Sequence, residues 1–238
     1  MNQDIATRKR HYLRRLASLE NERSNWESHW QKLADNFLPR RCRFLNKGAQ
    51  TNKGEELNKK IFDSTGTQAI RTLSSGMQSG LTSPAAPWFR IGLQDDLAAQ
   101  AEIFKNWLHE TQLRMTNVFG RSNFYDQVHL LYSELSTYGT GCLLIEEDNT
   151  NVIRCRTLSV GEYCIDTNAE GRVDTLYRRL RMTARQIEQA WPHTCPQRVI
   201  DMAKQDNATW LDVLHVVEPN PNHDPKLQLG PSRPFSSV

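Results

Sequence analysis

The feature that most constrains this chain is an apolar stripe near its start. Leu16, Leu19, Trp26, Trp30, Leu33 and Phe37 fall on a three-and-four spacing that is interrupted only at Arg23. That spacing predicts one helix from Tyr12 to Phe37, about 40 Å long at the rise of an α-helix. Pro39 ends it, and Arg40, Arg41 and Arg43 follow at the end where the helix dipole favours cations. Residues at helical spacing are usually buried, so Trp26 and Trp30 are expected to pack in a core. Arg23 breaks the seam that a coiled coil would need.

Residues 46 to 60, NKGAQTNKGEELNKK, read as a long polar loop. The stretch STGTQAIRTLSSGMQSGLTSPAAPWFRI, Ser64 to Ile91, then opens a helix capped by Asp63 or Ser64. Its expected apolar face is Ala69, Ile70, Leu73, Met77 and Leu81, and Pro84 and Pro87 stop it before Trp88 and Phe89. Gly76 and Gly80 stand in a G-x-x-x-G spacing, which lets another helix backbone approach closely. Further helices are expected over about Leu97 to Phe119 and, capped by Ser122 or Asn123, through Leu135.

The pattern changes at Tyr138-Gly139-Thr140-Gly141. Gly139 and Gly141 suit a helix-to-strand turn. Cys142 to Glu146 and Val152 to Thr157 read as a hairpin, followed by strands over Glu162 to Asp166 and Val173 to Met182. Thr183-x-x-Gln186 matches a capping box, a second short helix fits Gln197 to Ala203, and Trp210 to Val217 is a strand. The expected fold class is α+β: long N-terminal helices, then a small antiparallel β meander with short helices. The division is a mainly α region over 1–138, a β-rich region with short helices over 139–218, and a Pro-rich extended tail over 219–238.

Catalytic and cofactor chemistry finds no foothold. Neither Gly66-Thr67 nor Gly139-Thr140-Gly141 has phosphate-loop spacing, G-x-S-x-G is absent, and the seven histidines form no metal-binding pair. The five cysteines, odd in number and never in C-x-x-C, suit neither a disulfide framework nor zinc. The run Glu146-Glu147-Asp148 sits on a hairpin turn, where carboxylates are simply solvated. No metal, no cofactor and no enzymatic activity are expected. No apolar run is long enough to cross a bilayer and the N-terminus has no apolar signal core, so no membrane partner is expected.

Charge is uneven. Residues 1 to 60 hold 14 Lys and Arg against 7 Asp and Glu, a net of +7, whereas the remainder carries 16 against 20, a net of −4. The clusters Arg8-Lys9-Arg10 with Arg14-Arg15, Arg40-Arg41-x-Arg43 and Arg178-Arg179-x-Arg181 suit phosphate contact or subunit salt bridges equally, and carry no base-reading signature.

Several landmarks together resemble a known family. The pattern E-x-x-x-W-x-x-x-W-x-x-L-A over Glu22 to Ala34, the P-R-R after it, the segment IFDSTGTQAIRTLSSGMQSGLTSPAAPWFRI, SNFY at Ser122 to Tyr125, YGTGCLLIEED at Tyr138 to Asp148 and PFSSV at Pro234 to Val238 are similar to the head-to-tail connector, or portal, proteins of short-tailed, podovirus-like bacteriophages. The resemblance implies a wing-like region of a ring, dodecameric in the family, at one capsid vertex. Through that ring double-stranded DNA is packaged and ejected without sequence-specific binding. It implies capsid, terminase and tail partners, and residence in the virion after assembly in the host cytoplasm. Trp26, Trp30, Gly76, Gly80, Pro84, Pro87, Trp88, Phe89, Gly139 and Gly141 then become packing candidates, and Arg40, Arg41 and Arg43 possible DNA or subunit contacts. Family members are expected to continue past the PFSSV-like segment, so this sequence reads as an N-terminal portion, truncated or prophage-derived. The competing reading is a basic nucleic-acid-binding protein of a phage or bacterium.

Overall fold

A computed structural model describes residues 2–39, 41, 61–93, 102–192, 194–205, 209–227 and 232–238. The described helices are α1 (Asn2–Phe37), α2 (Thr65–Leu81), α3 (Glu102–Arg121), α4 (Phe124–Tyr138), α5 (Ala184–Ala190) and α6 (Gln197–Gln205). The strands are β1 (Cys142–Asp148), β2 (Val152–Leu158), β3 (Tyr163–Thr167), β4 (Val173–Thr183), β5 (Trp210–Pro219) and β6 (Phe235–Ser237). This is an α+β chain. The expected loop over 46–60, Arg40, Arg43 and the start of the helix near Leu97 lie outside the described residues.

The strands follow one another as the expected antiparallel meander, in two sheets: the hairpin β1–β2, and a four-stranded sheet in the order β3-β4-β5-β6. The chain divides into two compact units, Ser28–Val160 and a second built from Met1–Glu27 with Gly161–Val238. Helix α1 contributes residues to both units.

In the unit made of Met1–Glu27 and Gly161–Val238, α1 lies on the four-stranded sheet through Leu16 and Leu19, which pack with Cys164, Tyr177 and Val216. Arg23, which interrupts the apolar stripe, is on this inner face. Its guanidinium donates to the carbonyl of Tyr163 at 2.7 Å and to Glu27 at 3.2 Å, so a buried cation is held by hydrogen bonds. The inner line of α1 therefore runs through Leu16, Leu19, Arg23, Glu27, Trp30 and Ala34. Trp26 stands one position off that line and is 58% exposed, so only Trp30 of the expected pair enters a core.

Two basic clusters are partly consumed here. Arg15 pairs with Asp166, Arg179 with Glu20 at 3.2 Å, and Arg181 with Asp212 at 3.1 Å, while Arg178 is buried. The capping box opens α5 as expected: the Thr183 hydroxyl accepts from the N–H of Gln186 at 3.3 Å, and the Gln186 amide oxygen accepts from the N–H of Thr183 at 2.9 Å. In the Pro-rich stretch the N–H of Asn220 donates to the carbonyl of Pro234 at 2.9 Å, and β6 pairs with β5. A three-residue edge strand leaves no periodicity to read.

In the unit Ser28–Val160, α4 is central. It packs against α2 on one side and against the hairpin on another. Hairpin strand β2 has its outer edge closed by side-chain amides rather than by a third strand. Asn123 both accepts from the N–H and donates to the carbonyl of Cys155, each at 2.8 Å, and the Gln127 side chain accepts from the N–H of Thr157 at 2.8 Å. An open edge is thereby blocked against further pairing. At the hairpin tip the Asp148 carboxylate accepts from the N–H groups of Thr150 and Asn151 and from Arg154, and those bonds hold its pKa down to about 2. Asp148 is thus committed to the turn.

Val152 closes that turn at φ 71, a left-handed conformation unfavourable for a β-branched residue. It is 58% exposed, so its side chain contributes little burial. Replacing Val152 with Asn is expected to stabilise the unit by about 1 kcal/mol, read as a higher urea midpoint with an unchanged m-value.

Candidate assembly site

The serine-rich helix and the segment after it organise one side of the Ser28–Val160 unit. Asp63 rather than Ser64 supplies the side-chain cap of α2, accepting from the N–H of Thr65 at 3.1 Å and from its hydroxyl at 2.6 Å. The inner face of α2 is polar as well as apolar. Ser74, fully buried, accepts from the Ser133 hydroxyl at 3.0 Å, Gln78 donates to the carbonyl of Tyr125 at 3.0 Å, and Met77 joins the core of α4. Of the expected apolar face only Ile70 and Met77 turn inward; Ala69, Leu73 and Leu81 are exposed. Hydroxyl and amide partners on α4 set the rotation of the helix, which a hydrophobic count does not see.

Gly76 and Gly80 lie on the outer face, where an added Cβ would meet nothing within 4 Å. Among the described residues, nothing packs closely on this face. Since glycine costs a helix interior roughly 1 kcal/mol relative to alanine, Gly76→Ala and Gly80→Ala are each expected to stabilise the isolated unit by about that amount in urea titrations.

Pro84 and Pro87 follow the end of α2, and Trp88 and Phe89 turn back into the unit. The Trp88 ring stacks on Phe124 with centroids 6.0 Å apart and planes 5° apart, and lies 5.8 Å from Phe119. Phe119 stacks on Phe124 at 4.4 Å, and the Trp88 indole N–H donates to the Tyr125 hydroxyl at 3.3 Å. The SNFY element thus supplies the floor for the PWF element. A shallow groove of about 500 Å³ is lined by Pro87, Trp88, Phe89, Arg90, His109 and Gln112, with no carboxylate in that lining.

Gly139 and Gly141 serve different needs. Gly139 ends α4 at φ 73, the left-handed cap position, whereas a Cβ at Gly141 would come within 2.7 Å of Leu131 and 3.2 Å of Leu135.

Arg41, one of three cations expected to face DNA or a subunit, is used inside the unit. Its Nε donates to the Glu134 carboxylate at 2.7 Å. Glu134 is fully buried on α4 and also accepts from the Ser159 hydroxyl at 3.3 Å and the N–H of Val160 at 3.4 Å. Burial pushes its pKa up, and the attraction of Arg41 opposes this only in part. Sequence reading missed Glu134 because a carboxylate at a core position of a helix gives no hydrophobic signal. Arg41 was visible only as part of a basic run.

Among the described residues, no three His, Cys, Asp or Glu side chains cluster to hold a metal, and no helix is long and apolar enough to cross a membrane. What is exposed instead is apolar. Helix α3 buries none of its residues, and Ile103 is 81%, Trp107 57% and Phe104 45% exposed.

Comparison with known proteins accounts for the landmarks. Residues 9–238 match the family model described as bacteriophage head to tail connecting protein. The chain is 38% identical over 234 residues to the portal protein of Salmonella phage epsilon15, covering 98% of this chain and 42% of that protein. It is 35% identical over 223 residues to a probable portal protein of Bordetella phage BPP-1, covering 92% of this chain and 40% of that one. It therefore spans about two fifths of the length of these relatives. With the family model matched along nearly the whole sequence, the chain belongs to the bacteriophage head to tail connecting protein family.

Proposed function

We propose that this chain is part of a phage portal subunit, a structural protein that assembles with copies of itself into a ring at the head-tail junction and lets double-stranded DNA pass during packaging and ejection. The observation that carries this reading is the continuous family match over residues 9–238, joined by two portal-type relatives at 38% and 35% identity. The dodecameric count, the capsid, terminase and tail partners, and a location in the virion after assembly in the host cytoplasm belong to the same proposal. So does the absence of enzymatic activity: a portal works through geometry and electrostatics, and needs no nucleophile or metal.

The basic residues favour this reading over a dedicated nucleic-acid-binding protein. Arg15, Arg41, Arg179 and Arg181 are each held by a carboxylate of their own unit, which lowers the charge available to phosphates. A channel protein must let a polyanion slide, so DNA affinity is expected to be weak, indifferent to sequence and lost by about 200 mM salt, because the counterion release that favours each phosphate contact counts for less as salt rises. Fluorescence anisotropy with labelled duplexes of unrelated sequence measures this. Tight, salt-resistant binding to one sequence would favour the nucleic-acid-binding alternative.

A further inference from the structure

Among the described residues of the Ser28–Val160 unit, two surfaces that differ in kind are left uncovered. One is the apolar face of α3, where Ile103, Phe104, Trp107 and Met115 lie within one arc of the helix and all are exposed. Together they leave on the order of 400 Å² of apolar surface in water, the size of the largest patch on a typical monomer and a fitting centre for an interface of about 800 Å² per partner. Helix α3 packs on its unit near its C-terminal end, through Phe119, so the first half of its length has little of the tertiary packing that usually stabilises helices.

The other surface is the outer face of α2. It is lined by Ala69, Leu73, Gly76 and Gly80, and Arg71 is the only charged residue in all 17 positions of the helix. Solvent-facing helices normally carry charge on their outer side, whereas the centres of protein interfaces are depleted of it. Nothing within 4 Å would meet a side chain at Gly76 or Gly80. The first surface is bulky and the second is flat and small, so neither complements itself.

We propose that these are the two halves of one head-to-tail contact between copies of this chain, α3 of one copy lying along α2 of the next with Trp107 over the Gly76/Gly80 face. A ring closed by rotation requires two different, mutually complementary surfaces on each subunit. The proposal rests on the portal reading and names the contact that reading needs. A second copy is the occupant because the small-residue face offers room for the large side chains of α3, and the area suits a standard interface.

The test uses the whole 238-residue chain as wild type, Gly80→Leu and Trp107→Lys, each checked for folding by circular dichroism and followed by sedimentation velocity. Both sites are open in the subunit, so both variants should fold. The expected result is an oligomeric wild type, self-association weakened at least tenfold in each variant, and heterodimers that grow no further when the variants are mixed. That mixture keeps one intact α2 face and one intact α3 face, enough for a single contact. Rings that persist in both variants would overturn the assignment of these faces and leave the portal reading standing. Variants that fail to pair on mixing would overturn the head-to-tail arrangement. A monomeric wild type would overturn the proposal by giving the faces to another segment or protein. The portal reading itself would fall only if that monomer bound DNA with sequence preference.

Discussion

Replacing Arg41 with Ala is expected to destabilise the Ser28–Val160 unit by about 3 kcal/mol at neutral pH, because it leaves the Glu134 carboxylate buried without its cation. Adding Glu134→Gln to that variant should recover most of the loss, since a neutral amide still accepts from Ser159 and Val160 and no longer needs Arg41. The pH dependence separates this account from a simple loss of packing. Burial raises the pKa of Glu134 in the folded state, so the folded protein holds that proton more firmly than the unfolded chain does. The resulting stability is fully present below the ordinary carboxylate range and is lost as pH rises through the raised value. Without Arg41 the pKa climbs further. The Arg41→Ala variant should therefore approach wild type in mildly acidic buffer and fall away from it as pH increases, in urea titrations run across that range. A constant difference at every pH would show that Arg41 acts through packing alone.

Trp88→Ala should cost a similar amount, about 3 kcal/mol, by opening a cavity against Phe119 and Phe124 and by freeing the Tyr125 hydroxyl. Trp88→Phe retains the stacking and removes only the indole N–H, so about 1 kcal/mol is expected for it. Near-ultraviolet circular dichroism during denaturant unfolding reads both. If Trp88→Ala unfolds at the wild-type midpoint, the PWF element does not anchor the unit, and the L-T-S-P-x-x-P-W-F pattern has another purpose.

Much of this architecture was legible in local chemistry. The prolines after α2, the Thr183–Gln186 capping box, the hairpin turn at Asp148 and the left-handed cap at Gly139 are set by interactions within a few residues, and local sequence displays them. The features that were not legible depend on distant partners. Arg23 looked like an interruption because its acceptor is the carbonyl of Tyr163, 140 positions away. Trp26 looked buried because helical spacing places it near Trp30, yet the inner line of α1 passes through Glu27. What closes the outer edge of β2 was also hidden, because Asn123 and Gln127, at the start of the helix before the hairpin, bond it through side-chain amides. The rotation of α2 followed hydroxyl and amide bonds rather than apolar count. For the candidate site, the signature segment was found but its glycines face outward, and the exposure of α3 had no sequence signal at all.

We propose above that this chain is a ring-forming connector component. Electron microscopy of the purified 238-residue chain, with its mass in solution taken by light scattering, tests that most directly. Particles of several subunits around an open channel, unaffected by duplex DNA of any sequence, are the expected result. A uniform monomer that binds one DNA sequence and keeps it in moderate salt would contradict it.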